Sequence, residues 1–279
     1  MPNRTKMKKI ILLTGTELRH EFFRKYLGKS PELEVVGTYC ESPMDIGKLT
    51  NHGGESGLRK KHLEARLQSE IDFFKLFNET CQDTSNPIFI HRGQINEPSV
   101  IENISSLAPD YIVSYGCSII KPELINRFSG RFINLHLGLS PYYRGSGTNF
   151  WPLVNNQPEM VGATFMHIDE GIDTGEIIHQ IRAKTSVFDN VHTIGNRLIK
   201  DAAKVIVKIL VEGFEKSKSE GKNQHFVLEK VYKNKDFNEE SVQKLYQNFQ
   251  DGMIERYLEN KELRDNEAPI QQNPRYLLD

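Results

Sequence analysis

The stretch Lys9–Gly15, with the sequence KIILLTG, is a continuous apolar run that ends at a glycine. Such a run is typical of a β-strand buried on both faces of a sheet. Apolar residues then recur at helical spacing, at Leu18, Phe22, Phe23 and Tyr26. A second strand-like run follows at Leu33–Tyr39. A strand, a helix and a strand in so short a stretch form a βαβ unit, which predicts a parallel sheet.

The alternation of strand and helix patterns continues along the chain. Strand-like runs lie at Ile88–His91, Tyr111–Tyr115, Arg131–Leu135, Gly162–Ile168 and Glu176–Ile181. Helical patterns lie at Leu58–Phe77, at Ser99–Leu107, after Lys121, and after a cap at Asp189 or Asn190. A turn rich in Gly and Asp separates the last two strands, which predicts a hairpin. We therefore predict an α/β fold with a Rossmann-like, mainly parallel sheet and flanking helices.

Two charge-rich stretches accompany this pattern. The helix predicted over Leu58–Phe77 is amphipathic, and its apolar side carries Leu63, Leu67, Ile71, Phe74 and Phe77. Its charges are typical of a solvated face, and a ligand-binding role stays open. Over 219–279 we predict a small, mostly helical extension of the main domain at 1–218, with a strand within Phe226–Tyr232 and helices capped at Asn238 and starting at Met253. The extension is expected to be a lid or an oligomer contact.

The composition is that of a globular protein. The chain has 279 residues, of which 38% are hydrophobic and 26% charged, and its formal net charge is −1. This balance excludes a disordered chain and provides no global field toward nucleic acid or anionic membranes. No apolar run is long enough to span a bilayer, and the run after the basic N-terminus is too short for a signal peptide. The irregular spacing of the three cysteines predicts reduced thiols, and we expect a soluble, cytoplasmic protein.

The first turn between strand and helix has the sequence Thr14-Gly15-Thr16-Glu17. It has neither the Gly-x-Gly-x-x-Gly spacing of a dinucleotide site nor the lysine of a P-loop. This turn disfavours a nucleotide-dependent oxidoreductase on the same layered fold.

Three polar residues are candidates for chemistry: Asn134, His136 and Asp173. Asn134 and His136 end a predicted strand, where reactive groups of parallel sheets gather, and their spacing places both side chains on one face. Asp173, in a glycine-flanked turn, can reach the same point. An amide donor, an imidazole and a carboxylate suit attack on an acyl carbon, because they stabilise an oxyanion and remove a proton. No Ser or Cys is coupled to this set by spacing, so direct transfer between two substrates fits better than an acyl-enzyme.

Other roles for these residues stay open at this point. A lone histidine near a strand end is often structural, and an aspartate in a glycine-rich turn often bonds its own backbone. A metal site would combine His136, His167, Asp173 and His179, but no His-Glu-x-x-His or Cys/His spacing supports it. We therefore expect no metal.

Two motifs, NLHLGLSPYYRG at Asn134–Gly145 and GATFMHIDEGIDTGEII at Gly162–Ile178, carry a specific likeness. Together they resemble the signature of the 10-formyltetrahydrofolate-dependent formyltransferases, which include glycinamide ribonucleotide, methionyl-tRNA and sugar N-formyltransferases. The likeness is strong over Tyr111–Gln180 and extends from Lys9 to about Phe214. It implies a formyltransferase catalytic domain over 1–218 and transfer of a formyl group from the co-substrate 10-formyltetrahydrofolate to an amine.

The resemblance also implies a role for each residue of the site. Asn134 holds the formyl oxygen as it becomes an oxyanion, while His136, polarised by Asp173, stabilises that charge and helps to remove the amine proton. Tyr143 and Arg144 match the loop that borders the acceptor. Two segments match the groups that grip the pterin, at positions Tyr115, Gly116, Ile119, Ile120, Ile168, Asp169 and Gly171.

Departures from the family pattern bear on the acceptor. The chain has Gly138-Leu139-Ser140-Pro141 where the family commonly shows Ser-Leu-Leu-Pro, so any role of that hydroxyl is absent or moved to Ser140. The first turn lacks the Gly/Asn/Ser-rich loop with which glycinamide ribonucleotide enzymes hold a phosphate. The segment after His225 is acidic and short for a β-barrel, which disfavours tRNA without excluding it. The expected acceptor is a small-molecule amine, with a nucleotide-linked amino sugar as the best single guess.

Rival functions on the same fold also stay open. They are a methionyl-tRNA or glycinamide ribonucleotide formyltransferase, a 10-formyltetrahydrofolate hydrolase, and a folate-binding module without activity. A homodimer is a further option for the extension.

Overall fold

The computed structural model describes residues 7–42, 57–214 and 231–278. In these ranges the strands are β1 (Lys8–Thr14), β2 (Leu33–Ser42), β3 (Pro87–His91), β4 (Tyr111–Tyr115), β5 (Phe132–His136), β6 (Arg144–Gly145), β7 (Gly162–His167), β8 (Ile177–Arg182) and β9 (Val231–Tyr232). The α-helices are α1 (Leu18–Gly28), α2 (Leu58–Thr80), α3 (Pro98–Ser106), α4 (Pro122–Arg127), α5 (Trp151–Val154), α6 (Val191–Glu212), α7 (Glu239–Gln250), α8 (Met253–Glu259) and α9 (Lys261–Glu267).

Seven of these strands form one sheet in the order β3-β2-β1-β4-β5-β7-β8. The first five are mutually parallel, and β7 joins β5 and β8 as an antiparallel strand. The predicted α/β class and the predicted hairpin are therefore confirmed. The chain leaves β1 toward β2 and leaves β4 toward β5, so the strand order reverses between β1 and β4. Open sheets of this kind bind ligands at the carboxyl ends of the strands near such a reversal.

Helices cover both faces of the sheet, which explains the continuous apolar run of β1. Ile10 and Leu12 face the layer of α1, α2 and α6, while Ile11 and Leu13 face the layer of α3 and α4. All four side chains are fully buried. Burial on both faces requires apolar residues at every position of the strand and not at alternate positions.

Helix α2 differs from its predicted amphipathic form. Leu63 and Leu67, expected on the apolar side, are 41% and 57% exposed. Phe74 and Phe77 pack on the core as predicted. The helix also buries several polar side chains, namely His62, Ser69, Glu70 and Asn78. These polar groups are buried because each bonds to a neighbouring element, so the hydrophobic pattern misplaced only the first half of the helix.

The described part of the C-terminal extension packs against the main domain. Asn248 of α7 donates to the backbone oxygens of Leu153 and Val154 in α5. The carboxylate of Glu239 accepts hydrogen bonds from the first backbone N–H groups of α2. Of the predicted strand, only Val231–Tyr232 lies within the described residues, and it pairs in parallel with Arg144–Gly145. The boundary at 218/219 lies outside the described ranges and stays a prediction.

Candidate active site

Asn134, His136 and Asp173 lie together at the carboxyl end of β5 and are called the trio below. The Nδ2 atom of Asn134 donates to Asp173 Oδ1 over 3.3 Å, and His136 Nδ1 lies 3.3 Å from the same oxygen. The other oxygen, Oδ2, accepts from the backbone N–H of Gly145 at 2.9 Å. One carboxylate thus joins the amide, the imidazole and β6.

Ser114 fixes the orientation of the Asn134 amide. Its Oγ donates to Asn134 Oδ1 over 2.9 Å, and the two residues are direct neighbours in the β4–β5 register. The amide oxygen is therefore turned to Ser114 and the NH₂ group to Asp173. Within the described residues the NH₂ group makes one hydrogen bond, which leaves its second hydrogen for a substrate oxygen. Ser114 was not predicted as a site residue; its signal is a lone serine between the apolar and aromatic residues of the strand YIVSY.

His136 is flanked by two acceptors. Its side chain is 7% exposed, and Nε2 lies 2.9 Å from the backbone oxygen of Tyr143. Because a carbonyl oxygen only accepts, Nε2 carries a hydrogen. Nδ1 faces the Asp173 carboxylate, so the ring is fixed between the loop backbone and this carboxylate.

The turn that carries Asp173 has an unusual backbone. Asp173 has φ +53°, a left-handed conformation that Asp and Asn tolerate better than other side chains with a Cβ. In the same turn, the Asp169 carboxylate accepts from Gly171 N at 3.1 Å and from Thr174 Oγ1 at 2.8 Å. Asp169 thus bonds its own loop, which is the structural role that the sequence left open for an aspartate in this turn. Asp173 instead bonds to Asn134 and lies beside His136.

Gly138 explains one departure from the family pattern. A Cβ atom at this position would lie 2.5 Å from His136 Nε2 and 2.6 Å from Thr148 Cβ, closer than real Cβ contacts. A serine here would displace the imidazole. Ser140 does not supply a hydroxyl to the trio, because it is 4% exposed and its Oγ has no hydrogen-bond partner among the described residues.

Gly138→Ala is accordingly expected to push His136 off Asp173 and to lower turnover at this site by about 10-fold or more, because small misplacements at a reacting centre are costly. Gly195→Ala is the matched control, since a Cβ there meets nothing within 4 Å. Steady-state kinetics of both variants check this. Equal turnover in the two variants would contradict the steric argument.

The segment after β4 holds the residues matched to the pterin site. The ring of Tyr115 lies on the face of the sheet that α1 covers, 4.7 Å from the His20 ring. Gly116 has φ +72°, and a Cβ there would lie 2.3 Å from His20 Nε2. Ile120 is 7% exposed and belongs to the core, whereas Ile119 is 76% exposed. The side chain of Ile119 is therefore free for a ligand, and Tyr115 and Gly116 can contribute only backbone groups.

A buried glutamate, Glu41, positions this segment. Its carboxylate accepts from Ser118 N at 2.6 Å, from Ser118 Oγ at 2.9 Å and from Gly93 N at 2.8 Å. Glu41 was not predicted as a site residue; its signal is a charge at the end of a buried strand. Ile168 and Gly171 lie in the facing turn, where a Cβ at position 171 would meet Thr174 Oγ1 at 1.9 Å.

The loop matched to the acceptor site meets the trio through its backbone. Tyr143 is 5% exposed, and its carbonyl oxygen holds His136. Arg144 is half-buried, and its Nε has no hydrogen-bond partner among the described residues. A ligand role for Arg144 and Tyr143 stays a prediction.

Among the residues that the structure describes, no group of three or more His, Cys, Asp or Glu side chains is arranged to hold a metal ion. No helix in this part of the chain has the length and apolar character needed to cross a membrane.

Comparisons with known proteins agree with the fold and with the motifs. A family model described as formyl transferase matches residues 50–210, more than half of the chain. Methionyl-tRNA formyltransferase of Finegoldia magna is 28% identical over 155 residues, which cover 53% of this chain and 49% of that protein. The corresponding protein of Thermodesulfovibrio yellowstonii is 33% identical over 119 residues, 42% of this chain and 38% of that protein. The matches thus span about half or less of the length of these relatives.

A solved structure shares the fold at low identity. Phosphoribosylglycinamide formyltransferase from Anaplasma phagocytophilum superposes with a TM-score of 0.52 at 14% identity, covering 74% of this chain and 86% of that one.

Proposed function

Because the chain belongs to the formyl transferase family, we propose that it transfers a formyl group from 10-formyltetrahydrofolate to an amine. The observation that carries this proposal is the convergence of an amide donor, an imidazole and a carboxylate at one strand end. The proposed chemistry is direct transfer, since Ser114, whose hydroxyl bonds to the trio, is buried and donates to the amide oxygen of Asn134 and not to a base.

The proposed reaction balances with these groups alone. The amine nitrogen attacks the formyl carbon, and the C=O electron pair moves to the oxygen. The free hydrogen on Asn134 Nδ2 stabilises this oxyanion. The bond from carbon to the folate nitrogen then breaks. The amine loses one proton to the Asp173 carboxylate, which His136 orients, and one proton passes from there to the folate nitrogen.

Exposed apolar side chains near the trio support the proposal that a folate binds there. Ile119 is 76% exposed after β4, and Ile172 is 47% exposed directly before Asp173. Both lie on loops at the strand ends where the trio lies. A flat pterin ring between these loops would cover them, while backbone groups of Gly116, Ile168, Asp169 and Gly171 bond its edge. This assignment rests on the residue pattern of the family.

The acceptor we propose is a nucleotide-linked amino sugar. Arg19, in the first turn of α1, and Arg66 share the carboxylate of Glu70, with distances of 2.6 and 3.2 Å. The Arg66 side chain is 46% exposed, so its charge remains available to a diphosphate near the reversal of strand order. Residues 231–278 form helices packed on the domain, and their net acidic charge disfavours a nucleic acid.

The direct test is incubation with 10-formyltetrahydrofolate and a panel of amines: amino-sugar nucleotides, glycinamide ribonucleotide and methionyl-tRNA. We expect a formylated amino-sugar nucleotide, and Arg66→Ala is expected to raise its KM about 10-fold. Folate release at the same rate without any amine would favour a hydrolase. Formylation of another amine, without formylation of any amino-sugar nucleotide, would exclude the proposed acceptor and support the proposed reaction.

A module without activity is tested by Asn134→Ala. We expect this variant to lose about 10²-fold or more in kcat while it still binds tetrahydrofolate, because it lacks the oxyanion donor. Equally negligible turnover in the wild type and in Asn134→Ala would support a folate-binding module without activity.

A further inference from the structure

One aromatic residue of the C-terminal extension lies within a stack of rings beside the site. The ring of Tyr232 is nearly parallel to those of Tyr143 and Trp151, with centroid distances of 5.7 and 4.6 Å and interplanar angles of 12° and 15°. The Nδ2 atom of Asn155 donates to the hydroxyls of Tyr232 and Tyr143, over 3.0 and 2.9 Å. The stack thus ties the extension to the loop after β5.

The backbone of Tyr232 lies directly against the same loop. Residues 231 and 232 pair with Arg144 and Gly145, and Ser146 N donates to Tyr232 O over 2.8 Å. Gly145 has φ +92°, and a Cβ there would lie 2.2 Å from Tyr232 O. Such close contact means that a shift of Tyr232 moves the loop with it.

The other side of this short loop holds the trio. Gly145 N donates to Asp173 Oδ2 over 2.9 Å, and the carbonyl of Tyr143 accepts from His136 Nε2 over 2.9 Å. Two members of the trio therefore bond to backbone groups that Tyr232 supports from behind. Among the described residues, no hydrogen bond or ion pair joins a side chain of the trio to residues 231–278.

We propose that Tyr232 is a positioning residue: by stacking between Tyr143 and Trp151, it fixes the backbone groups that orient His136 and Asp173. The C-terminal extension then helps to position the catalytic residues and does not only cover the site. The consequence for rate rests on the proposed function, whereas the consequence for the geometry of His136 does not.

The substitution Tyr232→Ala removes the stacked ring and keeps the backbone. We expect a 10- to 100-fold lower kcat, roughly the cost of misplacing reacting groups by about 1 Å, with KM for the folate changed by about 2-fold at most. Tyr232→Phe keeps the stack and loses only the hydroxyl bond to Asn155. It is expected to restore kcat to within about 3-fold of wild type.

A readout without turnover separates this inference from the proposed function. In the full-length protein with ¹⁵N-labelled histidine, the Nε2–H signal of His136, assigned with His136→Gln, reports its bond to the Tyr143 carbonyl. Tyr232→Ala is expected to shift or broaden this signal, and Tyr232→Phe to leave it in place. If the wild type has no transferase activity, the proposed function fails while this measurement still tests the coupling.

The matched control is Tyr276→Ala, which removes another buried ring of the extension. Tyr276 is 1% exposed, and its hydroxyl donates to Gly213 O over 2.8 Å, away from the loop after β5. It is expected to lower the unfolding midpoint without changing the His136 signal or kcat. The proposal is overturned if Tyr232→Ala leaves both unchanged, or if Tyr276→Ala changes both to the same degree.

Discussion

Asp173→Asn is expected to lower kcat of formyl transfer by about 10²- to 10³-fold, because every partner of this carboxylate is a donor. Oδ1 faces Asn134 Nδ2 and His136 Nδ1, and Oδ2 faces Gly145 N–H. An asparagine offers one oxygen, so its NH₂ group must face a donor on one side or the other. The substitution also removes the negative charge that pairs with the imidazole.

Asparagine is the informative replacement at this position. It adopts the left-handed backbone of residue 173, with φ +53°, as readily as aspartate does, so the fold is expected to stay intact. Asp83→Asn is the matched control, because its carboxylate also accepts only from donors, namely Arg24, Ser85 N and Ser85 Oγ. We expect the control to lose stability and keep kcat. A loss of kcat below about 5-fold in Asp173→Asn would refute the central role of this carboxylate.

Acid is expected to destabilise the protein between about pH 6.5 and pH 4 through three histidines, of which two are buried and one is half-buried. Burial lowers the pKa of His62 and His179 to about 4 each, and burial with the neighbouring His62 lowers that of His192 to about 3. Each ordinary value is 6.5, so the unfolded chain binds more protons than the folded one in this range. The free energy of unfolding therefore falls as the pH drops, by on the order of 2 kcal/mol for each buried ring.

All three rings lie where the extension meets the main domain or close to it. His62 Nδ1 lies 3.2 Å from the hydroxyl of Tyr246, and the His192 ring lies 4.7 Å from that of His62. His179 Nδ1 accepts from Asn273 N over 2.9 Å, a bond that a protonated ring cannot make. Acid is thus expected to loosen residues 231–278 before the sheet unfolds.

Urea unfolding at a series of pH values checks this expectation. The double variant His62→Gln/His192→Gln removes two of the three titrating rings, so its stability is expected to fall less steeply between pH 6.5 and 4. The carboxylates are the same in both proteins, so the difference in slope isolates the histidines. Equal slopes would mean that these rings do not set the acid response.

The sequence predicted those features whose signal is local. KIILLT specified a strand buried on both faces, and the spacing of Asn134 and His136 placed two polar groups on one side of β5. Asn238, and either Asp189 or Asn190, were expected as helix caps; Asn238 and Asn190 accept from the backbone N–H groups of their helices. Each of these inferences depends on neighbours only a few residues apart.

Features that depend on distant partners were not predictable. Ser114 bonds a residue 20 positions away, and Glu41 bonds one 77 positions away. The support of the loop after β5 by Tyr232 arises from a two-residue parallel pairing, which has no sequence period. Leu63 and Leu67 were misplaced because hydrophobic spacing carries no information on a polar interface.

That polar interface has a mechanical consequence for helix α2. The hydrophobic effect between apolar surfaces has no directional preference, whereas hydrogen bonds are directional. Glu70 meets Arg19, Asn78 Nδ2 donates to Leu18 O, and Asn196 Nδ2 donates to Ser69 Oγ. A slip by one turn, about 5.4 Å, would separate Glu70 from Arg19 and leave this buried carboxylate with Arg66 of its own helix alone. These directional bonds therefore fix the position of helix α2 along its axis, and with it the position of Arg66.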